Sequence, residues 1–179
     1  MARSRMVFGV VGLAFSVTAA AAQPHPDFSG RWTAVPEAPV TGGGPTGAVA
    51  PATMGSGWGA EITITQTAAT LTLERAQFSQ YDMQPPMRLT YALDGSESRN
   101  TINMGRGPQE LVSRASWQEA SLVITTSHRF NNPQNGKAET IEVKQVLSLD
   151  DSGSLVIATT RSGVLAGPPA TSATTYKKS

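Results

Sequence analysis

From Ala60 onward, hydrophobic and polar residues alternate with a period of two, which is the pattern of β-strands that bury one face. In 61–67, for example, Ile62 and Ile64 alternate with polar residues. The same pattern recurs at 71–75, 87–93, 99–103, 111–118, 121–130, 138–149, 154–161 and 173–177. Short segments with turn residues, such as Asp94-Gly95, separate these stretches. The sequence therefore predicts an all-β, antiparallel up-and-down meander of about 8–10 strands that closes into a barrel.

The first 22 residues have the organisation of a signal peptide. Arg3 and Arg5 precede an apolar stretch, and the small residues Ala20-Ala21-Ala22 follow it. This order matches a charged region, an apolar core and an A-x-A cleavage site, and the apolar stretch is too short for a typical membrane span. We therefore expect cleavage after Ala22, a periplasmic or secreted location, no membrane anchor, and a single domain over 23–179.

Residues 36–59 predict a long flexible loop. The segment holds four Pro and seven Gly in 24 residues, too many for a regular element. Loops of this length inside a domain are typically functional or disordered. We expect this loop either to cover the mouth of the barrel, with Trp58 facing a ligand, or to bind a protein partner.

Composition excludes several kinds of chemistry. The 179 residues include no Cys and two His, so a disulfide framework, a thiolate metal site and a chelating His pair are not expected. Charged residues make up 15% of the chain and the net charge is +1, which argues against a nucleic-acid surface. No catalytic constellation is visible, and His128 is the single general-base candidate. The sequence predicts no catalytic site, no metal and no cofactor.

Polar residues interrupt the face that the alternation assigns to the barrel interior. They are Gln66, Arg75, His128, Gln145 and Arg161. Because buried polar groups cost free energy unless they are paired, these positions indicate either strand ends, where long side chains reach water, or a wet cavity. In the second interpretation Arg75, His128 and Arg161 meet the polar or anionic end of a ligand in an otherwise apolar pocket.

The opening Ser29-Gly30-Arg31-Trp32, followed by a long loop and a run of hairpins, resembles the G-x-W opening of lipocalin-type (calycin) barrels. The resemblance implies that Gly30 and Trp32 form the barrel base, that Arg161 packs across the Trp, and that the first loop is a lid. It therefore gives Arg161 a structural role that competes with the ligand-binding role above. The family usually adds a helix after the barrel, and this chain shows no sequence pattern for one.

The chain also resembles small exported bacterial proteins of uncharacterised function that open with S-G-x-W. The shared features are an I-T-Q hairpin, a Y-x-L-D-G turn, an S-R-x-x-W strand and an L-S-L-D-x-x-G-x-L hairpin, which correspond here to 64–66, 91–95, 113–117 and 147–155. This resemblance covers most of 23–179 and implies no activity.

Two functions follow as hypotheses. The first is an exported lipocalin-like protein, not an enzyme, that binds a small, largely apolar ligand through Arg75, His128, Gln66, Gln145 and Trp58. The second is a periplasmic protein-binding module, an inhibitor or an envelope assembly partner, that uses loop 36–59 and needs no small ligand. The sequence leaves open whether side chains fill the barrel or leave a cavity.

Overall fold

A computed structural model describes residues 25–36, 56–78, 83–103, 108–131, 136–162 and 169–179. The expected signal peptide and most of the expected loop, residues 37–55, lie outside these ranges. The described residues form ten β-strands: β1 (Gly30–Ala34), β2 (Glu61–Gln66), β3 (Thr70–Phe78), β4 (Met83–Ala92), β5 (Asp94–Asn103), β6 (Pro108–Gln118), β7 (Ser121–Asn131), β8 (Ala138–Leu149), β9 (Leu155–Ser162) and β10 (Ala170–Lys178). No helix with the length and hydropathy needed to cross a bilayer occurs in these ranges.

All neighbouring strands of the sheet pair antiparallel, in the order β4-β3-β2-β1-β10-β9-β8-β7-β6-β5. Each strand pairs with the next one in the sequence except at β4 and β5, and β1 pairs with β10, so the sheet curls into a nearly closed barrel. The predicted all-β, up-and-down meander is confirmed. The strands also extend beyond the predicted segments, since β4 begins at Met83 and β6 at Pro108.

The alternation of apolar and polar residues determines which side chains form the hydrophobic core. The inward residues of the strands are almost fully buried, and they include Ile62, Ile64, Leu71, Leu73, Leu122, Ile124, Leu147, Leu155 and Ile157. Burial of this apolar face is the main source of stability, at roughly 25 cal/mol per Å² removed from water. Phe28 and Tyr176, which the alternation did not assign, are also fully buried.

Tight connections join the strands at one end of the barrel, which we call the base. Thr67 N–H donates to Thr70 O (2.8 Å) between β2 and β3. Between β8 and β9, Asp150 Oδ1 accepts from the backbone N–H groups of Ser152 (2.9 Å) and Ser154 (2.8 Å). These short side-chain-capped turns fix the register of the strands that they join.

The barrel wall is interrupted between β4 and β5, because no ladder of backbone hydrogen bonds joins these two strands in the described ranges. They are the two edges of the sheet, although Leu93 alone separates them in sequence. Side chains of β5 bridge them: Ala92 N–H donates to Ser98 Oγ (2.9 Å), and Asn100 contacts the backbone of Thr90. We call this line the β4–β5 seam. The predicted Asp94-Gly95 turn lies at the start of β5, where Gly95 has a φ of +82°.

Candidate functional site

A cavity of about 250 Å³ lies inside the barrel, toward the end at which β3, β5, β7 and β9 terminate. Its apolar wall is formed by Trp58, Met87, Leu89, Tyr91, Ile102, Leu111 and Val143. Its polar wall is formed by Ser56, Arg75, Thr126, His128, Gln145 and Arg161, with Gly57 beside them. The structure therefore brings together four of the five predicted ligand contacts, together with Arg161. Toward the base, the interior contains buried core residues such as Trp32, Leu122 and Leu155.

The segment Ser56–Gly59 is held inside the barrel by hydrogen bonds from β8 and β10. Gln145 Nε2 donates to Ser56 O (2.6 Å), and Tyr176 OH donates to Gly59 O (2.8 Å). Since the Tyr176 hydroxyl has one proton, the Ser56 hydroxyl, 2.6 Å away, donates to the Tyr176 oxygen. Ser56 Oγ in turn accepts from Trp58 N–H (3.1 Å). This network buries Trp58, which is 4% exposed, against the cavity.

Arg75 reaches the cavity from β3. It lies opposite Met87 in the ladder, and a shift in register follows between Arg75 and Gln77. Bulges of this kind redirect side chains at barrel rims. Its Nη1 lies 3.4 Å from Gly57 O, a long contact for a hydrogen bond, and its buried Nε has no partner within the described part of the chain.

Arg161 and His128 line the cavity from two other strands. Arg161 in β9 pairs in register with Val143 in β8, and its Nη2 lies 3.4 Å from the position that a Cβ on Gly57 would take. His128 in β7 is partly buried. Burial, with a smaller effect of the Arg161 charge, lowers the pKa of His128 below its usual 6.5. The imidazole is therefore neutral at neutral pH, and the charge in the cavity wall comes from the two guanidinium groups.

Gln66, the fifth predicted ligand contact, lies at the base instead of the cavity. Its Nε2 donates to Pro26 O (2.9 Å), and its Oε1 accepts from Phe28 N–H (3.1 Å). These bonds hold the segment before β1 across the barrel end. Nearby, His25 stacks on Trp117 with ring centroids 4.2 Å apart and an interplanar angle of 3°. Gln66 therefore ties this segment to β2, and it also lines a pocket of about 370 Å³ at the base together with His25 and Trp117.

Trp32 and Gly30 lie close to the base in β1. Trp32 is 2% exposed, and its Nε1 donates to Phe28 O (2.9 Å). The cation above its ring is Lys178, with Nζ 5.5 Å from the ring centroid. Gly30 has a φ of +143°, and a Cβ there would lie 2.5 Å from Lys178 Cε. The structure thus places Lys178 where the lipocalin resemblance implied Arg161, and Arg161 lines the cavity.

Sequence reasoning missed Ser56 and Tyr176, which anchor the segment beside Trp58. Tyr176 carried a usable signal, because it is the one bulky side chain in the Thr-rich β10. Ser56 carried none, since its role depends on where the chain enters the barrel. Among the described residues, no group of three or more His, Cys, Asp or Glu is placed to hold a metal ion.

Comparisons with known proteins assign no family to this barrel. No protein-family model matches the chain. No curated protein matches it either. The cavity and its lining side chains are therefore the basis for assigning a function.

Proposed function

We propose that this protein is an exported, lipocalin-like binding protein for a small, largely apolar ligand, which it holds in the cavity beside Trp58. The observation that carries the proposal is a cavity of about 250 Å³ with a largely apolar wall inside the barrel. Binding sites are typically concave and apolar, with a few convergent polar groups. The antiparallel, nearly closed barrel and the buried Trp32 of β1 support the lipocalin-like assignment.

The size of the cavity limits the ligand. At roughly 30 Å³ for each water molecule in the liquid, 250 Å³ corresponds to about eight water-sized groups. This volume is below the roughly 300–1,000 Å³ of sites for drug-sized molecules. We therefore expect a ligand smaller than most drugs, such as a short aliphatic chain.

Native mass spectrometry of the protein purified from its own host tests the binding proposal. We expect an adduct that is lost on denaturation. After the adduct has been removed, titration with 1-octanol should shift the fluorescence of Trp58. Ile102→Trp should abolish binding because the larger side chain fills the cavity. Thr101→Trp adds the same ring at an exposed position of the same strand and should leave binding unchanged. A bare mass together with no response to 1-octanol would contradict the proposal and favour the protein-binding alternative.

The export part of the proposal rests on the sequence of residues 1–22. Fractionation of the host cells followed by intact-mass measurement tests it directly. We expect a protein in the periplasm or medium whose chain begins at Gln23. A cytoplasmic protein that retains Met1 to Ala22 would contradict export without affecting the binding proposal.

A further inference from the structure

A second concave site, which we call the base pocket, lies at the base of the barrel. Its volume is about 370 Å³, and it shares no lining residue with the cavity beside Trp58. The segment before β1, the end of β2 and the connection to β3 form most of its wall. The lining residues are His25, Asp27, Gln66, Thr67, Ala68, Leu93 and Trp117. The base pocket is therefore a candidate binding site that is separate from the cavity.

Ring contacts and hydrogen bonds hold the wall of the base pocket in place. His25 stacks on Trp117 of β6, and Phe28 stacks on the same indole with centroids 5.7 Å apart and an interplanar angle of 15°. Trp32 of β1 donates to Phe28 O, and Gln66 of β2 bonds the same segment. Because the segment is tied to three strands, the base pocket is formed before any ligand arrives, as binding sites usually are.

Asp27 gives the base pocket a negative charge. Hydrogen bonds with Ser29 lower the pKa of its carboxyl below the usual 3.8, so this group is ionised at neutral pH. No described residue of the lining is Lys or Arg, and Lys178, whose charge also lowers the pKa of Asp27, does not line the base pocket. Carboxylates at nearby connections of the same barrel end are those of Asp94, Glu119, Asp150 and Asp151. The field at this end therefore attracts a cation.

Two polar side chains of the lining are already engaged in hydrogen bonds. Gln66 uses Nε2 on Pro26 O and Oε1 on Phe28 N–H. The Thr67 hydroxyl accepts from Thr70 N–H (3.0 Å) and bonds to the Thr70 hydroxyl (2.9 Å). A primary ammonium group has three N–H donors that need acceptors, whereas a quaternary ammonium group has none. The base pocket therefore favours a cation that needs charge compensation and apolar contacts more than hydrogen bonds.

We propose that the base pocket binds a small quaternary ammonium cation, with Asp27 compensating its charge and Trp117 contacting its methyl groups. Aromatic rings attract such cations through their quadrupole and recognise quaternary ammonium ligands in many proteins. Ala68 and Leu93 add apolar contacts. At roughly 30 Å³ for each water molecule, 370 Å³ corresponds to about twelve water-sized groups, enough for a cation of the size of choline. This inference goes beyond the proposed function and does not depend on it.

Choline and 3,3-dimethyl-1-butanol form a matched pair of probes, because the second molecule has carbon in place of the charged nitrogen and keeps the shape. NMR titration of the isotope-labelled protein at pH 7.5 measures both dissociation constants and locates the site. We expect choline to bind about tenfold more tightly than the neutral probe, with the difference reduced at high salt. The indole N–H resonance of Trp117 should move, and that of Trp58 should not. Ethanolamine, a primary ammonium ion, should bind more weakly than choline.

Asp27→Asn removes the charge and keeps an oxygen that accepts from Ser29 N–H. It should weaken choline binding about threefold and leave binding of the neutral probe unchanged. Asp150→Asn is the matched control, because Asp150 is another exposed Asp at the base whose Oδ1 accepts from the N–H of the Ser two residues later. It should change neither affinity. Trp117→Leu should weaken choline binding at least threefold, and urea denaturation checks that each variant is folded.

Four results would overturn the ammonium site. They are equal affinities of choline and the neutral probe, no binding of either, tighter binding of ethanolamine than of choline, and an equal effect of Asp27→Asn and Asp150→Asn on choline. Movement of the Trp58 resonance in place of that of Trp117 would also overturn it, because choline would then occupy the cavity. Each of these results leaves the proposed function standing, since 1-octanol binding beside Trp58 tests that function separately.

Discussion

Asn100 forms two hydrogen bonds with the backbone of Thr90 across the β4–β5 seam. Thr90 N–H donates to Asn100 Oδ1 (2.7 Å), and Asn100 Nδ2 donates to Thr90 O (3.0 Å). One amide side chain thus satisfies both main-chain groups of a residue at an edge of the sheet, as a paired strand would. Leu89 and Tyr91 on β4 and Ile102 on β5 line the cavity, so the seam forms part of the cavity wall.

We expect Asn100→Ala to lower the free energy of unfolding by about 1–3 kcal/mol, because both backbone groups of Thr90 lose their partners. Urea denaturation measures this loss. Hydrogen exchange at the Thr90 amide should also become faster. Thr101→Ala is the control, since Thr101 is exposed on the same strand. An equal effect of the two substitutions would show that the seam does not depend on Asn100.

The lowered pKa of His128 predicts a pH dependence of stability. Well above pH 6.5 the imidazole is neutral in both states and contributes nothing to the pH dependence. Below 6.5 the unfolded chain takes up a proton at this position before the folded protein does, so stability falls as the pH falls toward the lowered pKa. Of the residues that the structure describes, the charged and titratable groups that share the cavity with His128 are Arg75, Arg161 and Tyr91, and none of these is a carboxylate that would reverse this sign.

Thermal unfolding between pH 7.5 and 4.5 measures this effect for the wild type and for His128→Gln. The substitution should flatten the profile over this interval. Asp27, Asp94 and Asp150, whose carboxyl pKa values are lowered from 3.8 by hydrogen bonds with nearby Ser residues, lose their contribution at lower pH. His25→Gln removes the histidine at the base and serves as the control. An unchanged slope in His128→Gln would contradict the assignment.

The two inner glutamines should differ in their effects on binding. Gln66→Ala breaks the bonds to Pro26 and Phe28 at the base and should lower stability without changing 1-octanol affinity. Gln145→Ala removes the donor to Ser56 O in the cavity and should change 1-octanol affinity at least threefold. Each variant is measured by both calorimetric titration and urea denaturation. A larger change in affinity for Gln66→Ala than for Gln145→Ala would contradict the position of the site.

Tyr176→Phe should release the segment beside Trp58, because it removes the hydroxyl shared by Ser56 and Gly59. At about 0.5–1.5 kcal/mol for each hydrogen bond, we expect a loss of about 1–3 kcal/mol. Emission from Trp58 should shift to longer wavelength, and a Trp58→Phe background identifies its contribution. Lys177→Gln, at the exposed neighbouring residue, should change neither quantity. Unchanged emission in Tyr176→Phe would contradict the role of the Tyr176 hydroxyl in holding Ser56–Gly59 inside the barrel.

Gly153, in the turn between β8 and β9, and Gly30, in β1, both have a positive φ, so the stabilities of their alanine variants can be compared. Gly153→Ala has open space around the new Cβ, so its cost is limited to the φ of +77°, about 1 kcal/mol. Gly30→Ala has a φ of +143°, which L side chains rarely adopt, and it displaces only the flexible end of the Lys178 side chain, so we expect a larger loss of about 1–3 kcal/mol from the backbone strain. Urea denaturation of both variants compares them. A smaller loss for Gly30→Ala would show that β1 adjusts its backbone there.

Much of the fold could be predicted from the sequence. The period of two places Ile62, Leu73 and Ile157 on the buried face, because successive residues of a strand point to opposite sides of the sheet. Short connections with turn residues then require neighbouring antiparallel strands. The β4–β5 seam could not be predicted, since β5 has the same alternation whether or not its edge pairs with another strand.

The sequence by itself determined that the chain is an antiparallel barrel with a few polar residues among its inward positions, because alternation and turn chemistry are local properties. Only the tertiary structure decided which of those residues meet. Gln66 and Gln145 occupy equivalent places in the sequence pattern, yet one holds the base and the other lines the cavity. The partners of each glutamine depend on strand register and on the position of Ser56–Gly59 inside the barrel. Both are set by contacts between residues far apart in the chain.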